Sequence, residues 1–196
     1  MADNGTGSGK KEQILEAAIK VFAAKGFFKA KVEEIAIEAK VGKGTVYEYF
    51  KSKQDLFQEM LKYILEIYLA KLDGSTSAED TFQERLKSLV ANHLKFIIDY
   101  REMAKVFMTE HPPLDEAFKE WLLEKERERL KSLQDMIGAA METGEIRPVD
   151  PVVTAKVLSG VIVSLGNNAV LTNDIPEDIS DIAQKAVNVL YSGLAG

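Results

Sequence analysis

The chain has 196 residues, of which 46% are hydrophobic and 29% charged, a balance that is ordinary for a globular protein and excludes wholesale disorder. It contains no cysteine and two histidines, which excludes disulfides, thiol catalysis and cysteine-based metal sites, so we expect neither a metal nor a cofactor. The net charge of −6 is unevenly spread, because residues 1–53 carry a net +3 and the remainder carries −9. This distribution favours phosphate binding at the N-terminal end, although a difference this small also arises by chance.

The apolar pattern is helical from residue 10 almost to the end, and we find no strand pattern and no internal repeat. Residues 1–9 are rich in Gly, Ser and Asn and predict a disordered tail. A first helix is expected over residues 10–25, where apolar residues recur at three- and four-residue spacing, and Gly26 ends it. A second helix over residues 32–39 and a third over residues 43–50 follow, joined by a short turn.

Six further helices complete an all-α fold of about nine helices. Ser52 to Asp55 match a capping box, which predicts the start of a long helix. After Gly144, Asp150 and Pro151 have the residue types of an N-cap and a first helical position. The six helices are predicted at about residues 53–73, 78–100, 101–110, 113–143, 151–171 and 176–194.

No stretch reaches the roughly 18 consecutive apolar residues that a membrane-spanning helix needs. The most apolar run, residues 157–171, is interrupted by Ser, Gly and Asn. Residues 1–9 lack the apolar core of a signal peptide. We therefore expect a cytoplasmic protein without a membrane partner.

Three short helices, the last two joined by a tight turn, are typical of a helix-turn-helix. In the third helix Val46 and Phe50 are placed to face inward, which leaves lysine, threonine and tyrosine side chains on the outer face. Such a face suits the major groove of DNA, although surface tyrosines of no function would give the same pattern. Lys53, beside the free N–H groups of the next helix, predicts a phosphate contact.

Residues 41–57, with the sequence VGKGTVYEYFKSKQDLF, resemble the signature of TetR-type (tetracycline-repressor family) transcriptional regulators. The resemblance is specific over about the first 60 residues and weak beyond them. It implies a helix-turn-helix DNA-binding domain at residues 10–53 and a ligand-binding and dimerisation domain at residues 54–196, entered by a connecting helix at residues 54–73. The family positions that touch the DNA backbone or lie near base edges match Lys43, Gly44, Thr45, Tyr47, Tyr49 and Lys53.

The chain departs from this family at four places. Ala30 and Lys31 stand where a Ser or Thr usually caps the second helix, and Gly42 replaces the usual Ser cap of the third. Lys40 occupies the turn position that is usually Gly, and a positive φ there would cost on the order of 1 kcal/mol. Glu33 also places negative charge near the groove. None of these changes removes the motif.

The resemblance further implies a homodimer built on the last two helices and an effector cavity in the C-terminal domain. The candidate dimer residues are Leu158, Val161, Leu165, Ile182, Ala186 and Leu190. The candidate effector contacts are Tyr63, Ile67, His93, Phe96, Tyr100, Met103, Phe107, Trp121, Asn167 and Asn168. An ordinary core histidine and an apolar core stripe are the alternatives for His93 and the aromatic and methionine residues, whereas the two amides in an apolar helix need partners.

The predicted function is a ligand-responsive repressor that binds a near-palindromic operator as a dimer and is released by a small hydrophobic or amphipathic effector. The alternative is a helical sensor or interaction protein whose N-terminal domain does not bind DNA. The acidic substitutions favour this alternative. No nucleophile with an adjacent base is visible, so we do not expect an enzyme. The sequence leaves open whether the ligand releases DNA or promotes its binding.

Overall fold

The computed structural model of the chain describes residues 6–73, 80–172 and 175–194. Within these ranges the regular structure is entirely helical, which confirms the predicted all-α fold. The helices are α1 (Thr6–Lys29), α2 (Val32–Glu38), α3 (Lys43–Tyr49), α4 (Lys53–Asp73), α5 (Phe82–Asp99), α6 (Arg101–Glu110), α7 (Glu116–Glu142), α8 (Pro151–Thr172) and α9 (Ile179–Ser192).

Helix α1 is interrupted at Gly26, whose φ of 77° and ψ of 170° are not helical, so the regular helix ends where the sequence predicts. Its start differs from the prediction. Residues 6–9 were expected in the tail but form the first turn of α1, where Gly and Ser are tolerated because the N–H groups have no intrahelical partner. The remainder of the predicted tail, residues 1–5, lies outside the described residues.

Three other helices begin later than predicted, because a side-chain cap fixes each start. The hydroxyl of Thr81 caps α5 and accepts from the main chain of Glu84 at 3.3 Å, while residues 78–79 of the predicted helix lie outside the described ranges. Asp115 caps α7 by accepting from the N–H of Phe118 at 2.8 Å, and Asp178 caps α9. The proline positions used to predict α7 and α9 therefore lie before the helices, and the aspartates decide the boundaries.

The chain divides into two compact units, which we name by their residues. Unit 1 comprises Met1–Ile67 and Arg101–Phe118, and unit 2 comprises Tyr68–Tyr100 and Lys119–Gly196. The main chain therefore passes from one unit to the other three times. Unit 1 holds α6 as well as the helices of the predicted domain 10–53. That functional boundary stays a prediction.

The core of unit 1 is built on a cluster of three phenylalanine rings. Phe57 of α4 meets the rings of Phe22 and Phe27 edge-on, with centroids 5.1 and 5.0 Å away. Ile14 and Ala18 of α1 lie on the same face as Phe22 and are fully buried. Replacing such a ring by alanine typically costs about 3–5 kcal/mol, so this cluster sets the positions of α1 and α4.

The core of unit 2 is formed by α5, α7, α8 and α9. Helix α5 contacts both α8 and α9, and every third or fourth residue of its inner face is buried. The core side chains that these four helices share are Phe82, Leu86, Val90, Leu94, Leu133, Ile137, Leu158, Ile162, Ala183 and Val187.

Candidate DNA-binding surface and effector cavity

Helix α2 has no Ser or Thr at its N-cap position. An acidic residue in its first turn binds the main chain there instead. The carboxylate of Glu34 accepts a hydrogen bond from the main-chain N–H of Lys31 at 3.1 Å. The same carboxylate accepts from Lys25 at 2.8 Å, which ties α2 to α1. These contacts lower the pKa of Glu34 below its usual value. The departure at residues 30–31 is thus compensated inside the motif.

The turn between α2 and α3 has the conformation that the resemblance implied. Lys40 adopts a φ of 53°. The N–H of Val41 donates to the carbonyl of Ala36 at 2.9 Å, which closes the turn. A lysine in this left-handed region costs on the order of 1 kcal/mol relative to glycine.

Helix α3 turns one apolar side inward and presents the predicted contact residues on the other. Val46 is 1% exposed, whereas the next residue, Tyr47, is 46% exposed. Of the remaining predicted contacts on α3, Lys43 and Gly44 are exposed and Thr45 and Tyr49 are half-buried. The side chains predicted to touch DNA therefore lie together on the outer face, where a duplex can reach them.

Glu33 of α2 forms an ion pair with the predicted base-edge residue Lys43. The lysine Nζ lies 2.5 Å from Glu33 Oε1 and 5.8 Å from the ring centroid of Tyr47. Both charged side chains are about half exposed. The hydrogen bond raises the pKa of Lys43 and lowers the pKa of Glu33. In the free protein, one predicted DNA-contacting cation is therefore partly neutralised.

Lys53 has an internal role that sequence reasoning missed. Its Nζ donates to the carbonyls of Phe27, Phe28 and Ala30 at 2.8, 3.2 and 3.0 Å. An ammonium group has three N–H donors, so these contacts use all of them. The charge also stabilises the carbonyl end of α1, which carries a partial negative charge. The phosphate contact of Lys53 stays a prediction, and no local pattern could reveal bonds to residues 23–26 positions away.

The start of α4 is capped as the sequence predicts. The hydroxyl of Ser52 accepts from the N–H of Asp55 at 3.0 Å. Asp55 reaches back in turn, but to the N–H of Lys51 at 2.7 Å. The first turn of α4 is thereby fixed directly after α3.

A second contact missed from the sequence joins α6 to the end of α1. The carboxylate of Glu110 accepts from the main-chain N–H of Phe27 at 2.8 Å and from that of Phe28 at 3.4 Å. A Cβ at Gly26 would clash with the carboxylate of Glu110. Position 26 favours glycine for its positive φ, whereas the Glu110 carboxylate is the end of a flexible side chain that can move away from a Cβ.

Unit 2 contains a cavity of about 420 Å³. Its wall combines apolar side chains with three cations and a single acid, so it suits a molecule with an apolar body and a negatively charged or polar head. The wall residues are Tyr68, Leu69, Arg85, Leu89, Lys125, Glu128, Arg129, Ser132, Leu133, Met136 and Ile162.

The three cations of the wall differ in their partners. Lys125 pairs with Glu128 at 2.7 Å. Arg129 is largely buried and pairs with Glu126 at 2.8 Å. Arg85 donates from Nε to the carbonyl of Asp80 at 2.8 Å, and among the described residues no carboxylate forms an ion pair with it. The other N–H groups of Arg85 form no hydrogen bond or ion pair with the described residues.

His93 lies behind the cavity wall and contacts it through Tyr68. His93 Nδ1 is 2.9 Å from the hydroxyl oxygen of Tyr68. Burial, with a smaller effect of the Arg129 charge, lowers the pKa of His93 to about 4, so the imidazole is neutral at physiological pH. Burial likewise raises the pKa of Tyr68 to about 12.

The structure places the ten predicted effector contacts outside the wall of this cavity. Tyr63, Ile67, Met103 and Phe107 belong to unit 1, where the hydroxyl of Tyr63 donates to Glu12 at 2.9 Å. In unit 2, Phe96 packs on Tyr68 and Tyr100, while Trp121 and Asn167 are half-buried. Asn168 is exposed on α8, so its amide is not buried within the chain.

Three charged wall residues of α7 were missed because that stretch of the helix is charged throughout: Lys125, Glu128 and Arg129. Its pairs three residues apart are typical of a helix face that points to solvent. The signal that could have found them is spacing. Arg129 lies four residues before Leu133 and seven before Met136, on one face with apolar residues.

The outer sides of α8 and α9 carry aliphatic side chains, as a dimer surface requires, but not all the predicted ones. Leu158 is 1% exposed and belongs to the core of unit 2, so it cannot contact a partner and its assignment is wrong. The other predicted dimer residues, Val161, Leu165, Ile182, Ala186 and Leu190, are half-buried. The exposed aliphatic residues of these helices are Val152, Val153, Val157, Leu171 and Val189.

Helix α8 is also long and apolar enough, by length and composition, to cross a membrane. A third of its most apolar window is buried within the chain. One such helix is weak evidence of a membrane segment, because core helices of soluble proteins meet the same criteria.

Two family models match the chain. Residues 14–60 match the bacterial regulatory proteins of the tetR family, and residues 79–167 match the tetracyclin repressor-like C-terminal domain. The first match contains the helices of the predicted DNA-binding motif, and the second contains α5, α6, α7 and most of α8.

Similar proteins are found along nearly the whole chain. The HTH-type transcriptional regulator YhgD of Bacillus subtilis is 30% identical over 80% of this chain and 82% of its own length. The fatty acid metabolism regulator protein of Bacillus subtilis is 24% identical over 93% of this chain and 94% of its own. The crystal structure of the regulator FadR from Bacillus subtilis in complex with stearoyl-CoA superposes with a TM-score of 0.79 at 24% identity, covering 93% of this chain and 98% of that one. The predicted resemblance is confirmed, and the chain belongs to the TetR family of bacterial transcriptional regulators.

Proposed function

We propose that this regulator is a cytoplasmic, non-catalytic repressor that binds a near-palindromic operator as a homodimer. An amphipathic molecule with a fatty-acyl chain and an anionic head, bound in the cavity of unit 2, would release it from DNA. The observation that carries the proposal is the outer face of α3, where Tyr47 and Lys43 are exposed above the buried Val46.

The geometry of α3 supports insertion into the major groove. A seven-residue helix is about 10 Å long and slim enough for a groove about 12 Å wide. At Gly44 a Cβ would meet nothing within 4 Å among the described residues, so packing inside the chain does not demand this glycine. A bare backbone here allows bases or phosphates to approach closely.

The wall of the cavity supports an amphipathic effector. Leu69, Leu89 and Met136 offer an apolar lining, while Arg85 has N–H groups that no described carboxylate occupies in an ion pair. A relative that regulates fatty acid metabolism, and a structural neighbour crystallised with stearoyl-CoA, favour an acyl compound. Release follows if the effector binds the DNA-free conformation more tightly, with a coupling typically of about 1–3 kcal/mol.

The homodimer is supported by the exposed aliphatic residues of α8 and α9. Val153 and Val157 lie one turn apart on α8, and Val189 is exposed on α9. Exposed apolar side chains on neighbouring elements of a surface are typical of protein interfaces, and a patch that pairs with its own copy gives a twofold dimer.

The test is a gel shift on DNA from the chain's own promoter region. We expect salt-sensitive binding by the wild type, loss of binding in Tyr47→Ala, and unchanged binding in Leu123→Ala, which removes an exposed side chain of α7. Sizing should show that all three proteins remain dimers. Equal binding by Tyr47→Ala would contradict the assignment of the α3 face.

The effector arm of the same experiment adds stearoyl-CoA or laurate to the DNA complex. We expect release at increasing concentration for at least one of the two. A complex that neither compound weakens would contradict the proposed effector class, and a complex that becomes tighter would reverse the proposed direction of control.

A helical sensor that does not bind DNA is the second candidate. The Glu33–Lys43 ion pair and the internal hydrogen bonds of Lys53 favour it, because both contacts occupy cations predicted to meet DNA. Such a protein would be a dimer whose elution volume is the same with and without promoter DNA at low salt.

A further inference from the structure

The contact between His93 and Tyr68 is a buried hydrogen-bonding contact of unit 2. Each residue is 8% exposed, and the phenol oxygen lies 2.9 Å from His93 Nδ1. Tyr68 belongs to the wall of the cavity, whereas His93 stands behind it. Which partner donates the hydrogen bond depends on the tautomer of the neutral imidazole, since one ring nitrogen carries a proton and the other does not.

The surroundings of the second ring nitrogen decide the tautomer. His93 Nε2 is buried and has no hydrogen-bond partner among the described residues. A Cβ placed on Gly166 would lie 2.8 Å from it, so the bare Cα of the glycine packs against this nitrogen. An N–H there would be a buried donor without an acceptor, whereas an unprotonated nitrogen can face the C–H groups of the glycine at little cost. The proton therefore belongs on Nδ1.

With the proton on Nδ1, His93 donates to the oxygen of Tyr68. The hydroxyl proton of Tyr68 then takes no part in the bond to His93. Within the described ranges, the Tyr68 hydroxyl group forms no other hydrogen bond. Because the phenol stays protonated at physiological pH, it has a proton to give to another acceptor. Arg129, a wall residue, lies near both side chains, and its ion-pair partner Glu126 acts on Tyr68 in the opposite sense.

We propose that Tyr68 is a ligand-binding residue that donates its hydroxyl proton to an anionic oxygen of the effector, with His93 as the positioning residue that orients it. Arg129, whose charge is shared with its ion-pair partner Glu126, lines the same cavity. The inference rests on the effector cavity of the proposed function and specifies which head group that cavity accepts. A carboxylate and a phosphate share the chemistry that this donor recognises.

The test compares wild type with Tyr68→Phe, which removes the hydroxyl oxygen and keeps the ring. Three probes share one alkyl chain: laurate, lauryl phosphate and lauryltrimethylammonium. For the anion that binds more tightly, we expect a Kd about tenfold higher in Tyr68→Phe, since a hydrogen bond to a charged acceptor is lost. The trimethylammonium probe accepts no hydrogen bond, so its Kd should change little. The preferred anion distinguishes a carboxylate head from a phosphate head.

A ligand-free measurement tests the orientation separately. Nitrogen chemical shifts of the imidazole should identify the Nδ1–H tautomer in wild type, and an Nε2–H tautomer would overturn the inference. Equal anion affinity of wild type and Tyr68→Phe would overturn it while leaving the effector cavity intact. Failure of all three probes to bind would overturn both the cavity assignment and this one.

Discussion

The carboxylate of Glu110, at the last position of α6, accepts a hydrogen bond from the main-chain N–H of Phe27 at 2.8 Å. The partners are 83 residues apart in the sequence, and the contact holds α6 to the end of α1 within unit 1. It also satisfies donors that Gly26 leaves free when it breaks the helix.

Replacing this carboxylate should destabilise the protein. We expect Glu110→Ala to lower the free energy of unfolding by about 1–2 kcal/mol, because the N–H of Phe27 loses a charged acceptor. Urea unfolding measures the change. Glu102→Ala on the same helix removes an exposed acid paired with its neighbour Arg101 and should change stability by less than about 0.5 kcal/mol. Equal losses in the two variants would contradict the role of Glu110.

Lys53 should stabilise unit 1 even without DNA. Lys53→Met keeps the aliphatic stem but leaves the carbonyls of Phe27 and Ala30 without their donor, so we expect a loss of about 1–2 kcal/mol. The control is Lys51→Met, because Lys51 is exposed and its side chain has no hydrogen bond to the residues that the structure describes. If Lys53 acts only on phosphate, both variants will unfold at the wild-type urea concentration.

Glu33 should weaken DNA binding. In Glu33→Gln the ion pair is lost and Lys43 becomes free to contact the duplex, so we expect affinity to rise about threefold or more at low salt. Glu38→Gln makes the same charge change on α2 but frees Lys20 of α1, and its effect should be smaller. Fluorescence anisotropy at two salt concentrations compares the variants. An unchanged affinity in Glu33→Gln would show that the pair does not limit binding.

The positive φ of Lys40 should lower the stability of the folded protein. Lys40→Gly relieves the φ of 53° and should raise stability by up to about 1 kcal/mol, or about 2–4 °C in Tm. Lys40→Ala removes the same charge and keeps the strained conformation, so it should bring no such gain. Calorimetry of the two variants separates strain from charge, and matching Tm values would rule out the strain.

His93 should make the protein sensitive to acid. Burial first, and the charge of Arg129 second, lower its pKa to about 4, below the ordinary value of 6.5. Between these pH values the unfolded chain binds a proton that the folded chain excludes, so stability falls as the pH drops through this window. The loss is on the order of 3 kcal/mol. His93→Gln should show a flatter profile over the same range, and parallel profiles would contradict the assignment.

The helix-turn-helix was predictable from sequence because its determinants are local. Val46 and Phe50 fix the inner face of α3, Ser52 caps the next helix, and the strained turn at Lys40 follows from the resemblance. The cavity was not predictable to the same degree. Its wall takes residues from α4, α5, α7 and α8, and the charged members on α7 lie in a stretch that looks like ordinary helix surface.

The error at Leu158 has a related cause. Helix α8 is apolar on nearly every side, so periodicity alone does not distinguish the side that faces the core from the side that stays exposed. The structure places Leu158 in the core and its neighbour Val157 outside. Only the packing of α5, α7 and α9 against α8 resolves that choice.

The three passages of the main chain between the units limit how this regulator can be re-engineered. A chimeric repressor joins the DNA-binding domain of one protein to the ligand-binding domain of another at a single junction. A junction after residue 53 would separate Glu110 from the DNA-binding domain that it stabilises. The transferred domain would then need an equivalent carboxylate from the other protein. A chimera that uses this DNA-binding domain should therefore include α6 as a second transferred segment.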